Sequence, residues 1–254
     1  MKIKKELSQG KPKIGCWVNL GSNVSAEIIG QSGYDWALID LEHGAGNEAM
    51  MYLQLQAMQK SQIAPIVRID EVSRPKVQRI LDSGASGIMF PQVKSEEEAR
   101  YAISCMYYPP KGVRGVAKMV RVVSFGKDFE TYQSTLTENL LGIIQIETLE
   151  ALEDVEKIAA IDGVDILFVG PSDLTMAMGI SGQLQHPDYQ AAIQKIGKAA
   201  KKYNKATGVL QFSINEYDVY RQHGYQFIAL GADSTFIVKG AAEIVNQWNE
   251  KINH

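Results

Sequence analysis

Short apolar runs, rich in β-branched residues, recur along the chain with room for a helix between most of them. Eight can be read: Ile14–Leu20, Trp36–Ile39, Pro65–Ile69, Gly87–Phe90, Leu141–Ile146, Val164–Val169, Gly208–Phe212 and Phe227–Leu230. Most are continuously apolar, not alternating, which is how strands buried on both faces read. Between them the apolar positions fall at helical spacing, most clearly over Glu48–Met58 and Ser95–Ile103. Ser95 followed by Glu98 has the form of a capping box and marks a helix start. Pro187-Asp188-Tyr189 opens another helix that runs to about Tyr203. Strand and helix in alternation imply parallel strands joined by right-handed crossovers. Eight such units in 254 residues predict an α/β protein, a single (β/α)8 barrel domain over residues 1–254. An open doubly wound sheet is the structural alternative.

The interval from Phe90 to Leu141 is too long for one crossover helix. It contains Tyr108-Pro109-Pro110-Lys111-Gly112-Val113-Arg114-Gly115, whose prolines and glycines impose loop geometry. A long loop within a compact domain is usually functional. No internal repeat, low-complexity tract or linker divides the chain.

Charge narrows the classes. Lys plus Arg number 26 against 29 Asp plus Glu, a net charge of -3. Nucleic-acid binding, which needs a clustered positive excess, is therefore not expected. The two cysteines, Cys16 and Cys105, are too few for a disulfide framework or a four-cysteine zinc site and suit a reducing cytoplasm. No apolar run approaches the ~18 residues of a membrane span, and Met1-Lys2-Ile3-Lys4-Lys5-Glu6 turns polar too early for a signal peptide. A cytoplasmic, enzyme-sized domain is the expectation.

In a barrel the chemistry sits at the carboxyl ends of the strands. The polar residues there form a constellation. Asp40, Glu42 and His43 follow the second run, Arg68 lies in the third and Gln92 follows the fourth. The fifth run carries Gln145 and ends in Glu147, and the sixth ends in Gly170-Pro171-Ser172-Asp173. Glu147 and Asp173 follow consecutive strands, which lie ~4.8 Å apart in a sheet. Both carboxylates are thus within reach of one hard divalent cation such as Mg²⁺ or Mn²⁺. Both also precede expected helix starts, where a carboxylate caps free N–H groups, and spacing alone does not choose. Asp40 and His43, three apart past a strand, suit an acid/base dyad in which the carboxylate fixes the imidazole tautomer. A structural histidine in a turn is the other reading. Arg68 at a strand end suits a substrate carboxylate or a developing enolate.

Competing signals are weaker. Gly231-Ala232-Asp233 has the look of a phosphate site at a helix start, but no second glycine-rich loop follows the seventh run. A Schiff-base aldolase needs a desolvated lysine, and none falls in the core of any run. The lysines of Lys195–Lys205 read as one solvated helix face, and Met50, Met51 and Met58 as core packing.

The chain resembles the HpcH/HpaI aldolases, metal-dependent (class II) pyruvate aldolases built on a barrel. The resemblance covers nearly the whole length in order: Gly15-Cys-Trp-Val-Asn-Leu20, Gly33-Tyr-Asp-Trp-Ala-Leu-Ile-Asp-Leu-Glu-His43, Pro65-Ile-Val-Arg68, Ile80-Leu-Asp-Ser-Gly-Ala85, Tyr108–Gly115, Gln145-Ile-Glu-Thr148 and Val169-Gly-Pro-Ser-Asp-Leu174. It implies Glu147 and Asp173 as ligands of a divalent ion (Mg²⁺, Mn²⁺ or Co²⁺), and His43 held by Asp40 as the acid/base pair. It implies Arg68 as the group that steadies the pyruvate oxygen, and Gln145 beside the metal-bound water and substrate. The Gly170-Pro171-Ser172 turn would receive the pyruvate carboxylate on the Ser172 amide, where the family usually has alanine. Trp17 and Leu210 would line the pocket. Asp82 would enter a neighbouring subunit's site, in a homohexamer built as a dimer of trimers that exchanges its last helix.

The implied reaction is reversible aldol cleavage of a 4-hydroxy-2-oxo acid to pyruvate and an aldehyde. The chain departs from the family at Gly44-Ala45, at Ile69-Asp70-Glu71 and over Lys118–Phe125, where Arg121 fits only loosely. These positions lie where the aldehyde half sits, so the resemblance sets the pyruvate half and leaves the aldehyde open. The rival readings are a related lyase acting on acyl-CoA, an oxaloacetate decarboxylase, and a non-catalytic barrel that binds a keto acid.

Overall fold

The computed structural model describes residues 2–253; Met1 and His254 lie outside it. Eight parallel strands close into a barrel in chain order. They are β1 (Lys13–Val18), β2 (Trp36–Asp40), β3 (Ala64–Arg68), β4 (Gly87–Phe90), β5 (Leu141–Ile146), β6 (Ile166–Val169), β7 (Ala206–Gln211) and β8 (Phe227–Ala232). Each overlaps one of the apolar runs, so the closed barrel is the outcome and the open sheet is not. The helices outside it are α1 (Lys2–Ser8), α2 (Asn23–Gln31), α3 (Glu48–Ala57), α4 (Arg74–Asp82), α5 (Glu96–Ser104), α6 (Phe129–Asn139), α7 (Leu149–Glu153), α8 (Val155–Ala159), α9 (Pro171–Ala177), α10 (Pro187–Lys202), α11 (Tyr217–Arg221) and α12 (Asp233–Ile252).

Continuous apolar strands follow from the two layers they separate. Inward positions pack into a central core of Trp36, Leu38, Ile66, Met89, Ile143, Phe168 and Phe227. Outward positions such as Ile39, Val67, Ile144 and Val209 pack under the helices. Trp36 stacks on Phe227 at 3.9 Å between ring centroids. Its ring occupies the space a side chain on residue 15 would need, since a Cβ on Gly15 would lie 2.0 Å from it. Ile3 and Leu7 of α1 join the same core, and Lys4 Nζ bonds the Leu140 carbonyl and Asp165. Thus α1 plugs the end where the strands begin, and the opposite rim stays open.

Local signals place the elements. Ser95 Oγ accepts the Glu98 N–H as expected of an N-cap, and Glu98 reaches back to the Lys94 N–H, one residue before the capping-box position. The irregular interval wraps a buried cation: Arg114 donates to Asp82 and Tyr132 and lies over the Tyr108 ring. Both cysteines are free and buried. Among the described residues no helix is long and apolar enough to cross a membrane.

Candidate active site

Two half-rims face each other at the open end. On one, Asp40 ends β2 and Arg68 ends β3, and the sheet register sets them side by side. Asp40 is 3% exposed. Arg68 Nε and Nη2 donate to its two oxygens at 3.0 and 2.6 Å, and Trp17 Nε1 adds a bond at 3.1 Å. The backbone N–H groups of Glu42 and His43 complete the set at 3.0 and 3.2 Å. Burial opposes the Asp40 charge, but the Arg68 bonds and charge outweigh it and hold the carboxyl below its ordinary value. Arg68 Nη1 also pairs with Glu42 Oε2 at 2.8 Å, and its guanidinium lies 5.2 Å from the centre of the Trp17 ring.

This arrangement corrects one expectation. Asp40 does not hold the His43 ring; its lone pairs are filled by Arg68, Trp17 and two backbone amides, and it fixes His43 only through the main chain. The His43 side chain is 70% exposed, with Nε2 4.0 Å from Glu42 Oε1.

On the other half-rim, Glu147 follows β5 and is 2% exposed. Gln92 grips its Oε1 twice, by backbone N–H at 2.7 Å and by side-chain Nε2 at 3.0 Å. Gln92 does so at φ 52°, the left-handed region that a residue with a Cβ enters at a cost. Gln145 Nε2 donates to Glu147 Oε2, and Gln145 Oε1 is buried without a partner. Gly170 makes the approach possible, because a Cβ there would lie 2.5 Å from Glu147 Oε2. Burial pushes the Glu147 carboxyl up to about 7, and the Asp173 and Glu42 charges add to it; the Gln92 amide and, least of all, the Arg68 charge pull it down. Burial likewise raises Glu42, against the pull of Arg68.

Helix capping does not account for these acids. Thr148, not Glu147, caps α7, and α9 has no side-chain cap, with Asp173 exposed in its first turn. Among the described residues no three His, Cys, Asp or Glu side chains converge as a metal cage. Two mutually repelling carboxylates beside an unpartnered amide oxygen nevertheless fit a hard divalent cation that takes its other ligands from water and substrate.

Trp17 packs against Phe168 beneath Arg68, and Leu210 is partly buried on the same central core. Pro171 and Ser172 open α9, whose first-turn N–H groups no side chain caps. Asp82 is not brought to its own rim. It ends α4, the helix that leads back to the start of β4, and pairs with Arg114 at 2.6 Å. Arg121 lies near it, on the Ser83 carbonyl. The glycine turn before α12 is no phosphate site, because Asp233 turns its carboxylate to the Asn19 and Leu20 N–H groups and Ser25 Oγ. Lys13, the only lysine in a strand among the described residues, lies at the plugged end and pairs with Glu6 and Asp35. The sequence marked Gln92 and Glu42 as rim residues but assigned neither a partner; no pattern in the sequence announces a left-handed glutamine.

Comparison with known proteins places this rim in context. Residues 13–239 match the family model described as HpcH/HpaI aldolase/citrate lyase. The chain is 37% identical over 251 residues to a "Hydroxypyruvate/pyruvate aldolase" of Paraburkholderia phytofirmans, with 96% of each covered. It is 37% identical over 246 residues to a "4-hydroxy-2-oxo-heptane-1,7-dioate aldolase" of Klebsiella pneumoniae, covering 97% of this chain and 93% of that one. A solved HpcH/HpaI aldolase/citrate lyase family protein from Burkholderia cenocepacia superimposes with a TM-score of 0.92 at 33% identity, covering 98% of this chain and 99% of that one.

Proposed function

Because the chain belongs to the HpcH/HpaI aldolase/citrate lyase family, we propose that the rim just described is its active site and that Glu147 and Asp173 hold the metal ion. The protein is a carbon–carbon lyase that cleaves a 4-hydroxy-2-oxo acid by the aldol route, releasing pyruvate and an aldehyde. The observation that carries the site assignment is Glu147: a buried carboxylate held in place by two glutamines, pressed by Asp173 and Glu42, and bonded to no cation of the chain, the more distant Arg68 offsetting its charge least of all.

A bound divalent ion (Mg²⁺, Mn²⁺ or Co²⁺) would supply Lewis-acid polarisation of the 2-oxo group. The chain's residues do the rest. The Ser172 N–H receives the substrate carboxylate. Of the five guanidinium N–H groups, Arg68 donates two to Asp40, and its Nη1 lies in an ion pair with Glu42 Oε2 at 2.8 Å. N–H groups that Asp40 leaves unbonded serve the 2-oxo oxygen as enolate charge develops on it. His43 takes the 4-hydroxyl proton as the C3–C4 bond breaks, and a proton returned to C3 completes pyruvate. Trp17 and Leu210 wall the pocket, Gln145 orients water or substrate beside Glu147, and Asp40 positions both Arg68 and the His43 backbone.

The test is to supply purified protein with pyruvate, a series of aldehydes and each ion in turn, and to identify the adducts. Metal-dependent adducts support the reading, and full turnover by EDTA-stripped protein sinks the metal assignment. We further propose a cytoplasmic homohexamer, a dimer of trimers in which Asp82 serves a neighbouring site and α12 is exchanged. In support, α12 leaves Phe236, Ile237, Val238, Ile244, Val245 and Trp248 exposed, a concentration of large apolar side chains on one helix that a partner subunit would cover. Light scattering that returns a monomer would overturn it.

A further inference from the structure

A cleft of about 830 Å³ opens at the plugged end of the barrel, between α1, the second half of α10 and the end of α11. Its floor includes Leu141 and Ala206, the first residues of β5 and β7, so a strand's length of roughly 20 Å separates it from the rim. Lys4, Lys198, Lys201, Lys205 and Arg221 line it against one carboxylate, Asp165. That carboxylate is already engaged by Lys4 at 2.9 Å and by the Gly142 N–H at 3.0 Å. The side chains of Lys198, Lys201 and Arg221 make no hydrogen bond or ion pair with any described residue, and Lys205 Nζ donates only to the neutral Ile161 carbonyl at 3.1 Å.

The cations are placed by the fold, not scattered. Gln194, Lys198 and Lys201 recur at helical spacing and all line the cleft from α10. Gly197 lets α10 press on the next wall, since a Cβ there would lie 2.3 Å from the His223 carbonyl oxygen. Part of the lysine run that the sequence presents as a solvated face is thus turned onto a cavity. Lys205 is only partly exposed, and burial lowers its ammonium below the ordinary lysine value. This concentration occurs in a chain whose net charge is -3, so it is not the by-product of a basic protein.

We propose that this cleft binds a phosphate group, either free orthophosphate or the monoester end of a small metabolite, as a second site separate from the catalytic rim. Phosphate is the matching anion because it carries nearly two charges at neutral pH and enough oxygens to engage an arginine fork and several ammonium groups together. A cleft of this volume also admits a metabolite-sized molecule. The site does not depend on the reaction assigned above, and its test reads binding, not turnover.

The test is calorimetric titration of the full-length protein with orthophosphate and, separately, with glycerol phosphate, at fixed ionic strength set by sodium chloride. Saturable binding is expected, weakened about tenfold or more in a Lys201→Ala/Arg221→Ala double variant and in Lys205→Met. Aldol turnover without phosphate should be unchanged in these variants, which shows that they fold. Tighter binding of the monoester identifies a phosphorylated metabolite as the source; equal or weaker binding identifies free phosphate. Absence of saturable binding, or binding that the variants leave intact, overturns the proposal.

Discussion

The two halves of the rim solve the same electrostatic problem in opposite ways. Asp40 and Glu147 are both almost fully buried carboxylates beside strand ends. Asp40 has a cation of the chain, Arg68, on both of its oxygens, and its carboxyl is lowered. Glu147 has only amides on its oxygens and two like charges nearby, which the more distant Arg68 charge does not offset, and its carboxyl is raised to about 7. A carboxylate already paired with an arginine has no charge to offer a further ion. One that is fixed in orientation but left unneutralised is prepared for a cation that comes and goes. The β2–β3 side is therefore a finished scaffold, and the β5–β6 side is a receptacle.

Removing the receptacle gives the largest expected effect. Glu147→Ala should abolish cleavage and metal binding together, and added metal should not restore either; retained Mn²⁺ binding by calorimetry would break the distinction between the halves. Asp173→Asn should follow it, with a smaller loss of affinity because the exposed Asp173 is free to be replaced by water.

Arg68→Lys probes the scaffold. It keeps the charge but loses the fork that serves Asp40 and Glu42 together, so cleavage should fall by about 10²–10³ through loss of one oxyanion donor and its placement. Metal affinity should change little. If metal affinity drops as far as in Glu147→Ala, the two sides are not independent.

The barrel was legible because each strand is apolar on both faces and each lies within or beside a continuous run, as Leu141–Ile146 and Gly87–Phe90 show by matching to the residue. The rim acids were legible because a polar residue that ends such a run has nowhere to point but the mouth. Partnerships were not. Nothing in the three-residue spacing of Asp40 and His43 reveals that Arg68, brought alongside by the β2–β3 register, takes the carboxylate first. Nor does Phe90-Pro91-Gln92 announce that the chain turns left-handed and aims both an amide N–H and a side chain at a residue 55 positions away.

Gln92 therefore separates orientation from charge. Gln92→Gly keeps the backbone N–H, since glycine adopts that φ freely, and removes only the side-chain donor. Metal affinity should weaken about 10-fold, at the lower end of what outer-shell changes cost. Gln92→Ile disfavours the left-handed backbone as well and should cost up to about 100-fold. Calorimetric titration with Mn²⁺ checks the order; an isoleucine variant that binds as well as the glycine variant would remove the backbone's part in holding Glu147.

The smallest effect is on stability, and its sign distinguishes the two carboxylates. Asp40, lowered by Arg68, stabilises the fold above the ordinary aspartate range, and that contribution is lost as pH falls through its folded value. Glu147 is raised, so between its unfolded value near 4.5 and about 7 the metal-free folded chain holds a proton that the unfolded chain has released. The metal-free fold must lose stability as pH rises through that window, by on the order of 3 kcal/mol, and lose no more on this account above it. Glu147→Gln cannot titrate and keeps a neutral group of the same shape. In EDTA, the difference in stability between this variant and the wild type, measured by urea unfolding from pH 5 to pH 8, should grow in the variant's favour up to about pH 7 and then level. A difference that stays flat would mean that Glu147 is neutralised by the chain after all, as Asp40 is, and that its half of the rim is not waiting for a cation.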